Sequence, residues 1–247
     1  MENWLERTEL LIGADNIARL QNANVLLVGL GGVGSYAAEF LCRAGIGRMT
    51  IVDGDLVDRS NKNRQLVALD STVNAYKADV MAQRMFDINP ELELTIVKDF
   101  LTPEKMEELI TPDFDWVVDC IDSIQPKLYF LMEAVQKGVR IASSMGAGGR
   151  LDPTQIRIAP IFETNNCPFA QKIRKGLRRK GLGRKIRRQQ ITAVYSEELV
   201  KQDSLQLTDG SRFKRSYYGT ISYLPALFGL HLASLVIRNL IESGSKS

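Results

Sequence analysis

Apolar residues in the first part of the chain occur as short continuous runs separated by segments with helical spacing. Short apolar runs are typical of strands that are buried on both faces of a sheet. They lie at residues 25–28, 48–52, 92–97, 115–119 and 139–143. Between them, apolar residues repeat every three or four positions, for example over residues 76–88 and 126–137. The alternation predicts an α/β fold with a doubly wound, mostly parallel sheet.

The two ends of the chain have different patterns. Residues 1–20 indicate an N-terminal helix or arm, and residues 155–158 and 193–195 indicate short strands, the first of alternating type. Residues 221–241 are apolar over nearly the length of a membrane span, but polar residues and a proline interrupt them. We expect a helix that is buried or at an interface, rather than an integral membrane role.

The first apolar run leads directly into a glycine-rich segment, Gly29-Leu30-Gly31-Gly32-Val33-Gly34, which is followed by helical spacing. Glycines in a strand-to-helix turn allow the backbone to approach a phosphate, and the helix N-terminus supplies N–H donors. Asp53 follows the next run, where a carboxylate can accept hydrogen bonds from a ribose. This segment predicts a Rossmann-like nucleotide site; a purely structural turn containing glycines is the alternative.

Polar residues after two strand ends favour a triphosphate over a dinucleotide. Asn61, Arg64, Gln65 and Lys77 offer amide, guanidinium and ammonium donors that suit phosphate oxygens. A hydride-transfer enzyme needs no such cluster, because its pyrophosphate already lies on the helix N-terminus. Asp122 follows a later strand, where a carboxylate is a natural Mg²⁺ ligand. Each residue taken singly could instead be a solvated surface group.

Charge is unevenly distributed along the chain. Residues 172–188 contain ten Lys and Arg residues and no Asp or Glu, whereas the net charge of the whole chain is only +3. The remainder is therefore acidic. A basic segment without acidic partners indicates nucleic acid binding, and a solvated helix face is the alternative.

Cysteine and histidine usage excludes several kinds of site. Cys42, Cys120 and Cys167 are far apart, which suits a reducing cytoplasm and excludes a zinc ribbon built from two C-x-x-C pairs. The single histidine, His231, lies in an apolar stretch, where we expect it in the core or at an interface. A mechanism based on a Ser-His-Asp or Cys-His arrangement is therefore disfavoured. No signal peptide is visible, so we expect a cytoplasmic protein.

Taken together, these motifs resemble the adenylating enzymes ThiF, MoeB and HesA, which are relatives of the ubiquitin-activating enzymes. The resemblance rests on G-L-G-G-V-G, Asp53 with Asp55, S-N-K-N-R-Q at 60–65, Lys77 and D-C-I-D at 119–122. Within that superfamily, G-A-G-G-R-L-D-P-T-Q-I at 146–156, the basic segment and V-Y-S at 194–196 are similar to tRNA threonylcarbamoyladenosine dehydratases. This second resemblance covers nearly the whole chain.

The resemblance implies a role for each candidate residue. The nucleotide would be bound by Gly29, Gly31, Gly32, Gly34, Asp53, Asp55, Asn61, Arg64, Gln65 and Lys77. Asp122 would bind Mg²⁺ and act in catalysis with Arg64 and Lys77. Arg7 lies six residues before Gly13, as does the arginine of MoeB that reaches into the partner subunit's site, which implies a homodimer.

The implied activity is ATP-dependent dehydration of threonylcarbamoyladenosine in tRNA through carboxylate adenylation. Residues 1–150 would form the ATP-binding region, and residues 151–247 a smaller basic extension, partly antiparallel, that binds tRNA and packs on the same domain. The alternative is an adenylyltransferase that activates the C-terminus of a ubiquitin-like sulfur carrier. The chain lacks the zinc C-x-x-C pairs of MoeB and ThiF, which counts against that alternative. A cysteine desulfurase system remains an open possibility as a partner.

Overall fold

A computed structural model of the chain describes residues 3–183, 190–207 and 216–242. The strands are β1 (Asn24–Val28), β2 (Arg48–Val52), β3 (Glu93–Val97), β4 (Trp116–Asp119), β5 (Arg140–Ser144), β6 (Ile156–Pro160), β7 (Ile191–Ser196), β8 (Leu205–Leu207) and β9 (Ser216–Tyr218). The helices are α1 (Glu6–Ile12), α2 (Ala14–Asn22), α3 (Gly34–Arg43), α4 (Lys77–Ile88), α5 (Pro103–Leu109), α6 (Ile124–Gln136), α7 (Pro168–Arg179) and α8 (Tyr223–Glu242).

Seven strands form one sheet in the order β3-β2-β1-β4-β5-β7-β6, and β8 pairs with β9 separately. The pairings along the sheet are parallel except for that of β6 with β7, which is antiparallel. Helices α2, α3, α4 and α8 cover one face, and α5, α6 and α7 cover the other. The predicted doubly wound α/β fold is confirmed.

The strand order creates a crevice at the carboxyl edge of the sheet. The chain proceeds from β1 outward to β2 and β3, and then returns to β4 on the other side of β1. The loops after β1 and β4 therefore run in opposite directions and leave a gap between them. Open α/β sheets bind ligands at such switch points.

The apolar C-terminal helix is packed into the molecule. By length and composition alone, α8 could cross a membrane. However, Leu224, Phe228, Leu232 and Val236, which recur at every fourth position, are fully buried in the core beside α3. The expectation of a helix packed against the rest of the chain is confirmed.

One detail differs from the expectations. The N-terminal segment forms two helices instead of one, because Gly13, with φ of 84° and ψ of 158°, interrupts the helical backbone between α1 and α2. The basic segment begins within α7, and its last four cations, Arg184, Lys185, Arg187 and Arg188, lie outside the described residues.

Gly229 provides a test of the packing between α3 and α8. A Cβ atom at this position would lie 2.4 Å from the carbonyl oxygen of Val33 and 2.9 Å from the amide nitrogen of Ala37. We expect Gly229→Ala to lower the free energy of unfolding by about 1–3 kcal/mol, because the clash with backbone outweighs the better helix propensity of alanine. Urea unfolding measures this change. Ser234→Ala, on the exposed side of the same helix, is the control and should have little effect.

Candidate nucleotide-binding site

The turn from β1 to α3 brings three backbone segments into close contact. Gly29 has φ of 92°, and a Cβ on it would lie 2.9 Å from the carbonyl oxygen of Cys120, just after β4. A Cβ on Gly34 would lie 1.7 Å from the carbonyl oxygen of Gly29. Because any side chain at these two positions would collide with backbone, they require glycine.

The other two glycines of the turn face the polar loop that follows β2. A Cβ on Gly32 would lie 3.2 Å from the carbonyl oxygen and 3.3 Å from the Cγ of Arg64. A Cβ on Gly31 would meet only the Nε2 of Gln65, at 3.8 Å, which is an ordinary contact. Of the four glycines, Gly31 therefore has the most open surroundings, with Gln65 beside it and Arg64 beside Gly32.

Asp53 connects this turn to the end of β2. Its Oδ2 accepts a hydrogen bond of 2.6 Å from the Leu30 amide, and its Oδ1 accepts one of 2.8 Å from the Asp55 amide. Burial raises the pKa of Asp53, and the nearby charge of Lys77 opposes that rise. The carboxylate thus has a structural role in the loop, and its remaining lone pairs can accept ribose hydroxyls.

Lys77 is placed unusually for a cation. It is the first residue of α4, its side chain is only 7% exposed, and its Nζ lies 3.0 Å from Oδ2 of Asp55. A positive charge at a helix N-terminus is unfavourable, so the carboxylate of Asp55 compensates for it. The ammonium group retains donors for a further anion, which is the property expected of a phosphate ligand.

The short helical turn at Arg59–Asn61 orders the polar loop. The Oδ1 of Asn61 accepts a hydrogen bond of 3.2 Å from the Asp58 amide, so this side chain caps the turn. Arg64 donates to the carbonyl oxygen of Ser60 at 2.9 Å. Among the described residues, the buried Oε1 of Gln65 has no hydrogen-bond partner. A buried acceptor without a donor, beside the accessible backbone of Gly31, fits a site built for a polar ligand.

Asp122 lies on the other side of the switch point. It is exposed at the end of the turn that begins with Cys120, and its Oδ1 accepts a hydrogen bond of 3.3 Å from the Ser123 hydroxyl. Within the described ranges, there is no cluster of three or more His, Cys, Asp or Glu side chains that could hold a metal. A Mg²⁺ ion here would therefore need ligand phosphates or water to complete its coordination, as is usual for this ion.

A buried ion pair that the sequence analysis missed supports the Asp122 turn. Asp119 and Lys127 are fully buried, with their charged atoms 2.7 Å apart. Asp119 also accepts hydrogen bonds from the Ser143 hydroxyl at 2.6 Å and the Ile121 amide at 3.1 Å. Lys127 donates to the carbonyl oxygen of Ile121 at 2.8 Å. The pair therefore holds both polar groups of the Ile121 backbone, one residue before Asp122.

Arg7 is the one candidate that the fold of a single chain places away from the site. It is exposed on α1, and Leu5, just before that helix, packs against Gly45 beyond the end of α3. The glycine turn lies at the start of α3, about 15 Å away along a ten-residue helix. Within one chain, Arg7 is thus near the opposite edge of the sheet.

The cysteines and the histidine are placed for packing. Burial raises the pKa of Cys42 to about 12 and also raises the pKa of Cys120, so both thiols stay protonated at neutral pH. Cys167 is buried at the start of α7. His231 is half-buried on α8, with its Nδ1 2.7 Å from the carbonyl oxygen of Leu227. None of the four is arranged as a nucleophile paired with a base.

The chain is similar to proteins of known function. A profile of the ThiF family matches residues 5–247. The tRNA threonylcarbamoyladenosine dehydratase of Bacillus subtilis is 35% identical over 98% of this chain and 96% of its own length. The sulfur carrier protein ThiS adenylyltransferase of Escherichia coli is 32% identical over only 57% of this chain and 56% of its own.

A solved structure extends the likeness to three dimensions. The E. coli tRNA N6-threonylcarbamoyladenosine dehydratase in complex with ATP is 31% identical and superimposes with a TM-score of 0.87, covering 100% of this chain and 98% of that one. The similarity therefore includes the C-terminal half, in which β6, β7, α7 and α8 lie.

The Asp119–Lys127 pair can be tested by unfolding. Lys127→Met leaves a carboxylate buried without its counter-ion, and we expect a loss of about 3–5 kcal/mol in the free energy of unfolding. The double variant Asp119→Asn/Lys127→Met should recover much of that loss, which a double-mutant cycle in urea would measure. A loss below about 1 kcal/mol in the single variant would mean that the pair does not support the turn.

Proposed function

The chain belongs to the ThiF family, and we propose that it catalyses the ATP-dependent dehydration of threonylcarbamoyladenosine in tRNA. The observation that carries this proposal is its similarity to the dehydratases over both halves of the chain. The nucleotide site at the switch point is compatible with ATP as the co-substrate.

The chemistry accounts for the need for ATP. The threonyl carboxylate is a poor electrophile, so its oxygen first attacks the α-phosphorus of ATP and displaces pyrophosphate. The neighbouring ureido group then closes onto the activated carbon and expels AMP. The net result is the loss of one water from the nucleoside. Ring closure is intramolecular, so proximity supplies much of the rate.

The residues of the site can be assigned to this reaction. The backbone amides of the glycine turn and the side chains of Arg64, Gln65 and Lys77 would hold phosphate oxygens, and Asp53 would hold the ribose. Asp122 would bind Mg²⁺, which neutralises phosphate charge when bound. Arg64 and Lys77 lie on the other side of the crevice and stabilise negative charge that develops on phosphate.

Helix α7 supports tRNA as the substrate. Six cations are on it or at its end, namely Lys172, Arg174, Lys175, Arg178, Arg179 and Lys180. None of them pairs with a carboxylate in the part of the chain that the structure describes. A surface of this kind can neutralise the backbone phosphates of a folded RNA. A sulfur-carrier tail, the substrate in the alternative function, would not need it.

Exposed apolar side chains on α1 support a homodimer. Leu10 and Leu11 are 82% and 84% exposed, and the neighbouring Trp4 is 48% exposed. A cluster of exposed apolar side chains is typical of a surface at which proteins associate. A second copy packed on α1 would cover them and could bring Arg7 to its partner's site. We place the enzyme in the cytoplasm, where three well-separated thiols stay reduced.

Asp122 provides the first test of the activity. Wild-type protein incubated with ATP, Mg²⁺ and tRNA carrying threonylcarbamoyladenosine should remove one water from that nucleoside, as measured by mass spectrometry of the digested tRNA. Asp122→Ala should lower the rate by at least about 100-fold, because the charge on phosphate is then less well neutralised. Its thermal unfolding should be unchanged, since the side chain is exposed.

The matched control for this test is Asp87→Ala, which removes an exposed carboxylate at the far end of α4 and should leave the rate unchanged. If wild-type protein fails to remove water, the proposed function is wrong. If Asp122→Ala is fully active, the proposed function can still be right, but the Mg²⁺-binding role proposed for Asp122 is wrong.

Arg7 tests the dimer. Arg7→Ala and Asp122→Ala should each be inactive alone, but mixing them should restore part of the activity. One site of a mixed dimer would carry both lesions and the other none. Activity is measured after subunit exchange, which differently tagged subunits verify. Exchange without any recovery of activity would contradict an arginine that acts in its partner's site.

A further inference from the structure

Helices α6 and α7 enclose a cleft of about 190 Å³ that the proposed reaction does not use. Its walls are two helical stripes. The stripe from α6 consists of Gln125, Leu128, Tyr129 and Met132, and the stripe from α7 consists of Gly176, Arg179 and Lys180. These spacings of three and four residues place each set on one face of its helix.

The close approach of the two helices depends on Gly176. A Cβ at this position would lie 2.5 Å from Cδ1 of Leu128. Glycine inside a helix costs about 1 kcal/mol relative to alanine, so its presence here has a packing reason. The contact defines the floor of the cleft.

The chemistry of the walls is aromatic and basic. Tyr129 is 41% exposed, and the Nζ of Lys180 lies 5.9 Å from the centroid of its ring. Arg179 and Lys180 are exposed and pair with no carboxylate among the described residues. An exposed ring beside uncompensated cations is the combination that binds single-stranded nucleic acid, by base stacking and phosphate contact.

We propose that this cleft binds an unpaired nucleotide of the RNA substrate, with its base on Tyr129 and its phosphates on Arg179 and Lys180. The inference rests on the proposed function, which supplies RNA as the substrate. The position of the cleft favours a nucleotide near the one that reacts, because Gln125 lies in the first turn of α6, three residues after Asp122. An acidic protein could complement the charges, but it would make no particular use of the exposed ring.

Fluorescence of a short unpaired oligoribonucleotide that carries one 2-aminopurine provides the test. Stacking on Tyr129 should quench the probe when it binds to the full-length protein. Tyr129→Ala should abolish the quenching and weaken binding about 10-fold, whereas Tyr129→Phe should preserve both. Lys180→Gln should weaken binding and reduce the slope of log K against log salt by about 0.7, the value for one phosphate contact on a single strand.

Two control variants lie on the opposite face of the sheet. Phe86→Ala removes an exposed aromatic from α4, and Arg238→Gln removes an exposed cation from α8. Both should bind the probe as wild type does. The midpoint of thermal unfolding should be unchanged in the Tyr129 and Lys180 variants, which shows that they fold.

The outcomes separate this inference from the proposed function. Equal quenching and affinity in wild type and Tyr129→Ala would overturn the assignment of the cleft to RNA. If polyglutamate displaces the probe equally well from wild type and from Tyr129→Ala, the assignment is also overturned, in favour of an acidic protein partner. If wild type shows Tyr129-dependent quenching but removes no water from tRNA, the cleft stands and the dehydratase function falls.

Discussion

The candidate site depends on the contact of Gly29 with the backbone of Cys120. Here the loops that leave β1 and β4 meet before they diverge, with no room for a Cβ between them. The contact sets the glycine turn against the turn that presents Asp122. Backbone contact therefore fixes the amides of the glycine turn relative to the carboxylate of Asp122 on the other side of the crevice. Backbone positions vary less than side-chain packing does. A side chain at Gly29 or Gly34 would separate the two halves of the site.

Much of this arrangement could be predicted from the sequence, because its signals are local. The apolar runs gave the five parallel strands from β1 to β5, and the glycines gave the turn, since a strand followed by G-x-G-x-x-G has few alternatives. The roles of Lys127 and Ser143 could not be predicted in this way. Their partner, Asp119, lies on β4, and the contact with Ser143 depends on the register between β4 and β5, which periodicity does not specify. A cation within the apolar stripe of Phe130, Leu131 and Ala134 was the one signal available.

The structure keeps its charges in two different environments. Asp119 and Lys127 are fully buried and neutralise each other. They hold a turn in place, and removing one of them would leave a buried charge without a partner. The exposed cations of α7, such as Lys175 and Arg179, pair with no carboxylate among the described residues, so their attraction for an anion acts at long range and is screened by salt. Lys77 is intermediate, since it is buried but shares one carboxylate, that of Asp55. This order of exposure matches the roles proposed for these residues, namely support of a turn, nucleotide binding and RNA binding.

Helix α6 connects these environments. Its inner face carries Lys127, which holds the backbone before Asp122, and its outer face carries Tyr129 in the cleft beside α7. From Ile124, where α6 begins two residues after Asp122, the helix rises about 7.5 Å to Tyr129, and a helix changes this distance little. An RNA strand held at Tyr129 would thus lie at a set distance from Asp122, the carboxylate proposed to bind Mg²⁺. The Asp119–Lys127 ion pair holds the backbone of Ile121, next to Asp122. It therefore stabilises the turn and also the position of Asp122 relative to Tyr129.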